Sequence, residues 1–312
     1  MSMREGALDL ITRPARRLLS RPRISSDLLA QAADPPPGPG VFATWTGVAG
    51  LRLEHVEQSN TTTVLLDPYV TRHSVPELAL PLQSDLDTAT RAFPKADAIF
   101  VGHSHHDHLF DAIPMAIRTG ARLFGSASTA AVAKAGGVPE PKCVIVEDGQ
   151  NVSVGPFDIE VVEHEHGRSL LGVPFPGDIA APPPWPPFVW HLKAGPVLAY
   201  IIRVSGRTFY HQGSSGLTGH QLARINDLKP AAAFVCLALR QHTPHYEDLL
   251  FAALKPERVF AIHHDDFFGR PLTAEPRLMR GVDLPGFIAS TRRLAGEDVF
   301  ADLHPFERIR LR

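Results

Sequence analysis

Five residues able to bind metal stand within six positions in the stretch Gly102-His103-Ser104-His105-His106-Asp107-His108, directly after the apolar run Ala98-Ile-Phe-Val101. The pattern is H-x-H-x-D-H. In an extended chain, residues i and i+2 point the same way, so His103 and His105 can grip one ion together. Asp107 and His108 then turn the chain and can face a second ion close by. Imidazole combined with carboxylate suits zinc, and also manganese or iron. The bland reading is a solvated histidine-rich loop. Ligand-type side chains packed at the carboxyl end of a buried strand argue for the metal instead.

Other residues with chemical potential carry weaker patterns. Gly213 and Gly216 bracket two serines, but no lysine follows at phosphate-loop spacing. Ser214 and Ser215 lack the G-x-S-x-G setting of a serine nucleophile. Cys236, in mid-strand, reads as inert core. His242 and His245, in Arg240-Gln-His-Thr-Pro-His245, are candidate rim residues or surface histidines in a turn.

The elements that must position these residues are mostly strands. Val41–Trp45 and Leu51–Val56 read as a hairpin pair, and Thr61–Leu66 is a β-branched run ending at Asp67-Pro68. Further strands are expected at Ala98–Val101, Val144–Val146, Ile159–Val162, Ala199–Val204, Thr208–Tyr210, Phe234–Leu239 and Val259–Ile262. Helices are expected at Ser84–Phe93, Ile113–Thr119, Thr129–Ala135, Gly219–Asn226 and Tyr246–Leu254. Strands in both halves with helices between them imply an α/β (α+β) protein with two sheets packed together and helices outside.

Composition narrows the function. The chain has 312 residues, 44% hydrophobic and 21% charged, with a formal charge of −2. These values fit a soluble globular protein, and the two cysteines exclude a disulfide scaffold, so a reducing, cytoplasmic setting is expected. The acidic body without an appended basic segment argues against nucleic acid as a partner. The first 23 residues hold six arginines and two acids, +4 locally, leaving −6 for the rest. Residues 1–40 are read as a basic arm plus the linker Asp34-Pro-Pro-Pro-Gly-Pro-Gly40, and 41–312 as a single domain. The arm is a candidate for peripheral membrane contact, or a frayed arm packed on the domain.

With these residues in view, the sequence resembles the metallo-β-lactamase superfamily, through ordered motifs from about Phe42 to about Phe268. The resemblance implies a four-layer αββα sandwich with a metal site at one edge of the two sheets. Leu65-Leu66-Asp67-Pro68-Tyr69 is similar to the first motif, in which the aspartate orients the metal-binding loop. The H-x-H-x-D-H stretch is the second. Phe157–His166 is similar to the third and makes His166 a ligand, with His164 competing because it faces the same side of an extended strand. The fourth motif usually supplies a bridging aspartate, but Ser214 occupies that position here. Val259-Phe-Ala-Ile-His263 is similar to the fifth. The branch resembled contains ascorbate-6-phosphate lactonase and N-acyl phosphatidylethanolamine phospholipase D, although Gly47-Val48-Ala49 departs from its usual Gly-His-Ala.

The resemblance thus implies one site of His103, His105 and His166 and a second of Asp107, His108 and His263, holding one or two Zn2+ ions, with Mn2+ or Fe2+ as alternatives. It implies a hydrolase in which metal-activated water attacks an ester, lactone, amide or phosphodiester of a small molecule or lipid, with Asp107 and His108 as catalytic residues. The missing carboxylate leaves open a catalytically silent scaffold. Ser214 itself, Asp178, His211 or Asp265 are the candidates to compensate. Leu170 to Trp190 follows the third motif, and seven of the fourteen residues from Pro174 to Pro187 are proline. Trp185, Phe188 and Trp190 are expected to wall the substrate pocket and favour an apolar portion such as an acyl chain; packing on a sheet edge or in a homo-oligomer interface is the alternative.

Overall fold

The computed structural model describes residues 23–34, 38–268 and 271–311. Its thirteen described strands form two sheets. The first has seven strands in the order β13 (Arg308–Leu311), β1 (Gly40–Gly47), β2 (Gly50–Val56), β3 (Thr61–Leu66), β4 (Ala98–Phe100), β5 (Arg122–Gly125) and β6 (Cys143–Ile145). The second has six, in the order β12 (Val259–Ile262), β11 (Ala232–Cys236), β10 (Arg207–Gln212), β9 (Val197–Val204), β8 (Phe157–His164) and β7 (Asn151–Val154).

Alternation along the strands explains the layers. Val64, Leu66, Ala98 and Phe100 point into the space between the sheets, where they meet Leu198, Tyr200, Ile202, Phe209 and Phe260. Leu65, Ile99, Val101 and Leu123 point the other way, toward helices α1 (Ser26–Ala33), α2 (Leu86–Ala92), α4 (Ala112–Thr119) and α5 (Ala127–Ala135). On the second sheet, Ala199, Ile201, Val235 and Ala261 face α6 (Gly219–Arg224), α7 (Tyr246–Leu254) and α8 (Leu284–Ala295). Strands covered on both faces are apolar where they are covered, as β4 and β12 are throughout and β9 is up to Arg203. The result is the expected αββα sandwich.

The main sequence-based elements lie within a few residues of the observed ones. Strands β5, β7 and β13, with helices α1 and α8, were not anticipated. β5 has four residues and begins on an exposed Arg122, and β7 and β13 are polar strands at sheet edges, where apolar alternation is diluted. Helix α1 falls within the stretch read as arm and linker, and its Leu28, Leu29 and Ala32 are buried in the core shared with α2. Arg52 also donates to the Ala32 carbonyl at 3.0 Å. The basic arm expected at residues 1–22 lies outside the described residues. No described helix is long and apolar enough to cross a membrane.

Strand direction creates the site. β3 and β4 are parallel to one another, as are β10, β11 and β12, while β8 reverses into β9 and β9 into β10. The carboxyl ends of β8, β10, β11 and β12 therefore lie together, and the loops after β3 and β4 meet them. The inner layer should be the most sensitive to loss of volume. Phe100 is fully buried, stacked at 4.6 Å on Phe124 and edge-on at 5.4 Å to Tyr200. Phe100→Ala is expected to cost about 3–5 kcal/mol in urea denaturation; a loss below about 0.5 kcal/mol, the level of a surface change, would contradict this packing.

Candidate metal centre

The H-x-H-x-D-H loop leaves β4 in extended conformation and then turns into a short helix, α3 (His106–Leu109). This change of backbone separates the two halves of the motif. His103 and His105, two apart in the extended part, bring Nε2 of one to 3.0 Å from Nδ1 of the other. His166 joins them, its ring centroid 4.7 Å from each. Asp107 and His108, on the helix, face His263 from beyond β12. Asp107 Oδ2 lies 3.3 Å from His263 Nε2 and 3.7 Å from His108 Nε2. Two groups of ligand atoms result, His103–His105–His166 and Asp107–His108–His263, each with its atoms within 4.8 Å of one another.

A buried carboxylate orients the loop. Asp67 follows β3 with φ of +45°, accepts a hydrogen bond from the Gly102 amide at 2.5 Å, and pairs with His108 Nδ1 at 2.9 Å. That contact directs His108 Nε2 toward the second group, the usual service of a carboxylate behind a metal-binding imidazole. Gly213 is required by the same carboxylate, since a Cβ there would lie 2.3 Å from Asp67 Oδ2. His166 is fixed similarly, its Nδ1 lying 2.6 Å from the Gly167 carbonyl, which leaves Nε2 for the first group.

Electrostatics prepare the donors. Burial holds His105 at about 3 and His166 at about 4, and pushes His103 well below the ordinary imidazole value. All three are neutral near pH 7, the state in which imidazole binds metal. Burial opposes ionisation of Asp107, but His108, His263 and His106 outweigh it and keep its carboxyl well below the usual range. Burial also opposes charge on His108, and Asp67 with Asp107 overcomes it to raise that pKa. Three neutral nitrogens in one group and a carboxylate with two imidazoles in the other fit divalent cations.

The remaining sequence candidates lie elsewhere. His164 is buried with Nδ1 at 3.1 Å from the Gly216 carbonyl and belongs to neither group. Ser214 borders the cavity, and its Oγ accepts from the Gly167 amide at 3.0 Å, bracing the loop that carries His166. None of the candidate compensating groups joins the clusters. Asp178 is exposed, and His211 bonds the Ala49 carbonyl at 2.9 Å. Asp265 is held by Arg72 at 2.5 Å and by the Val48 amide at 2.8 Å. His242 is half-buried in the turn Arg240–His242 and does not line the cavity.

Above the ligands is a cavity of about 270 Å³. His105, His106, Asp107, His166, Ser214 and His263 form its polar side, and Leu78, Pro174, Phe175, Val189, Phe267, Phe268 and Met279 its apolar side. The proline-rich segment therefore contributes Pro174, Phe175 and Val189, not its expected aromatics. Trp185 stacks on Phe110 at 5.7 Å and packs against the helical core, while Phe188 stacks on Trp190 at 4.5 Å, away from the ligands. The sequence offered a signal for part of the wall, because Phe267 and Phe268 follow His263 by four and five residues. Leu78, from the short 3-10 helix Val75–Ala79, and Met279 arrive from distant parts of the chain and leave no local pattern.

Residues 62–264 match the model of the Beta-lactamase superfamily domain. The chain belongs to the metallo-β-lactamase superfamily. A UPF0173 metal-dependent hydrolase from Heliobacterium modesticaldum is 27% identical over 218 residues, covering 66% of this chain and 76% of that one. Another from Anaeromyxobacter sp. (strain K) is 28% identical over 179 residues, and the match spans 56% of each chain. Among solved structures, the metallo hydrolase Igni18 from Ignicoccus hospitalis superposes with a TM-score of 0.54 at 19% identity, covering 86% of this chain and 97% of that one. CmlA, a diiron β-hydroxylase from Streptomyces venezuelae, gives 0.57 at 14% identity, covering 89% and 55%. At these identities the likeness is one of fold, which hosts more than one chemistry.

Two outcomes test the centre. Replacing His103 and His105 together by alanine should abolish zinc uptake at the first group, whereas Asp67→Asn should weaken the second group about 10–100-fold. Calorimetric titration of the metal-free variants measures both, and unchanged affinity in Asp67→Asn would remove the orienting role. The second outcome concerns acid. His73 and His105 at about 3, with His164 and His166 at about 4, stay unprotonated in the folded state while the unfolded chain takes up protons below about 6.5. Stability of the metal-free protein therefore falls as pH drops from about 6.5 toward 4, each group contributing up to about 1.4 kcal/mol per pH unit. Melting temperatures from pH 7.5 to 4.5 should show a steep decline; a flat profile would contradict it.

Proposed function

We propose that the protein hydrolyses an amphiphilic small molecule or lipid, cleaving an ester, lactone, amide or phosphodiester bond at the junction between its polar and apolar parts. The observation behind this reading is the two-sided cavity, in which both ligand groups lie beneath a wall of phenylalanine, leucine, valine and methionine. His103, His105 and His166 would hold one divalent ion, zinc by the softness of three imidazoles, with manganese or iron as alternatives. Asp107, His108 and His263 would hold a second. Such ions supply Lewis acidity and a water acidic enough to react near neutral pH.

The chain's own residues do the rest. Asp107 is ionised and buried at the boundary of the two groups, placed to accept a hydrogen bond from the attacking water and fix its direction. Asp67 holds His108 in the tautomer with Nδ1 protonated. Phe175, Phe267 and Phe268 exclude bulk water and take up an apolar substituent, so affinity should rise with its length. His106 borders the same space beside Tyr69, at 5.7 Å between centroids, and helps shape the cavity.

A second reading is favoured by Ser214. Its hydroxyl is engaged by the Gly167 amide, and no described carboxylate replaces the bridging aspartate. A scaffold that binds metal and an apolar ligand without turnover has the same geometry. Zinc-loaded protein assayed against nitrophenyl esters, lactones and phosphodiesters of increasing acyl length separates the two. kcat/KM rising several-fold from short to medium chains, and falling on Phe175→Ala or Phe268→Ala, supports the hydrolase. Ligand binding with no turnover by zinc, manganese or iron forms would leave the scaffold.

A further inference from the structure

His166 on one side and Pro174 with Phe175 on the other all border the cavity, so residues 167–173 leave its rim and return to it. At the tip of this excursion stand Leu170 and Leu171, 89% and 98% exposed. The turn beneath them is closed on itself. The Ser169 amide donates to the Gly172 carbonyl at 2.8 Å, the Gly172 amide to the Ser169 carbonyl at 3.0 Å, and Ser169 Oγ to the Gly172 carbonyl at 2.8 Å. Phe175, four residues beyond Leu171 and 42% exposed, borders the cavity, where its ring lies edge-on to His105 at 6.4 Å. Isolated exposed apolar residues are ordinary, but two adjacent leucines raised on a hydrogen-bonded turn at a cavity rim are a contiguous feature.

We propose that the Leu170-Leu171 turn is an apolar wedge that enters a lipid surface and seats the cavity mouth against it. Its shape selects this occupant. A convex tip of two side chains is far smaller than the roughly 800 Å² per partner of a stable protein interface. A deformable acyl layer accepts such a tip without a complementary groove. The turn's internal hydrogen bonds mean that little ordering is required on insertion. Arg168, at the base of the turn and 65% exposed, would sit at headgroup level, although Glu165 lies 3.5 Å from it and tempers its charge. The inference rests on the amphiphilic-substrate reading and gives it a route: an acyl chain would pass from the lipid layer along Phe175 to the ligand groups.

The test needs no turnover, so its failure is distinct from a failure of that reading. The full chain is sedimented with vesicles of phosphatidylcholine and phosphatidylglycerol, beside the double variant L170S/L171S. The natural chain is expected to partition onto vesicles and the variant to lose about tenfold or more of that partition, with melting temperature and zinc uptake unchanged. No partition by the natural chain, or equal partition by the variant, would overturn the proposal. Salt-sensitive binding that the variant retains would assign lipid contact to other basic residues and overturn it equally. A dimer lost in the variant by sedimentation velocity, with vesicle binding unaltered, would make the turn a protein interface instead.

Discussion

The site is organised around a single buried carboxylate that belongs to neither group of ligand atoms. Asp67 accepts the Gly102 amide and pairs with His108 Nδ1, and it does so from a left-handed backbone conformation that a non-glycine residue adopts at a cost. The Gly102 contact fixes where the histidine loop leaves β4. The His108 contact fixes how α3 presents Asp107 and His108 to His263. A buried acid without such partners would be expensive to ionise, so the loop and the carboxylate hold each other in place.

A second anchor works from the opposite sheet. Asp265 joins the Arg72 guanidinium and the Val48 amide, while the His263 amide donates to the Val48 carbonyl at 2.6 Å. Both Val48 and His263 have positive φ. The Gly47-Val48-Ala49 turn and the segment after β12 are thus tied by their backbones, with the buried ion pair closing the join. The two groups of candidate ligand atoms come from loops of two sheets, and these two anchors hold those loops in register.

Much of this could be read from residue order, and the reasons are physical. Strands buried on both faces carry continuous apolar stretches, so β4, β12 and most of β9 announced themselves, with β3 marked by its β-branched run, and the polar residues after β3, β4 and β12 stood out as site candidates. The H-x-H-x-D-H spacing gave the first histidine pair directly, because extended backbone aligns alternate side chains. Picking out His166, His263 and Asp67 needed the family resemblance, since no local pattern separates a histidine of the two groups from His164 or His211. The cavity wall was the least legible part. Trp185 is large and apolar, but its ring is used to cover Phe110 and the helix layer; whether an aromatic lines a pocket or a core depends on contacts made by residues far away in the chain.

The crowding around Asp67 has a consequence for how this sequence can drift. Gly213 has no room for a side chain while Asp67 stands behind it, and His108 loses its partner if Asp67 shortens or changes charge. Positions 67, 102, 108 and 213 are therefore locked as a unit, and a viable change at one demands simultaneous changes at the others. Position 214 is under no such lock, because its side chain borders open cavity and needs only an acceptor for the Gly167 amide. A carboxylate can replace the hydroxyl there and still accept from the Gly167 amide, so the charge of the site is free to vary where the loop geometry is not.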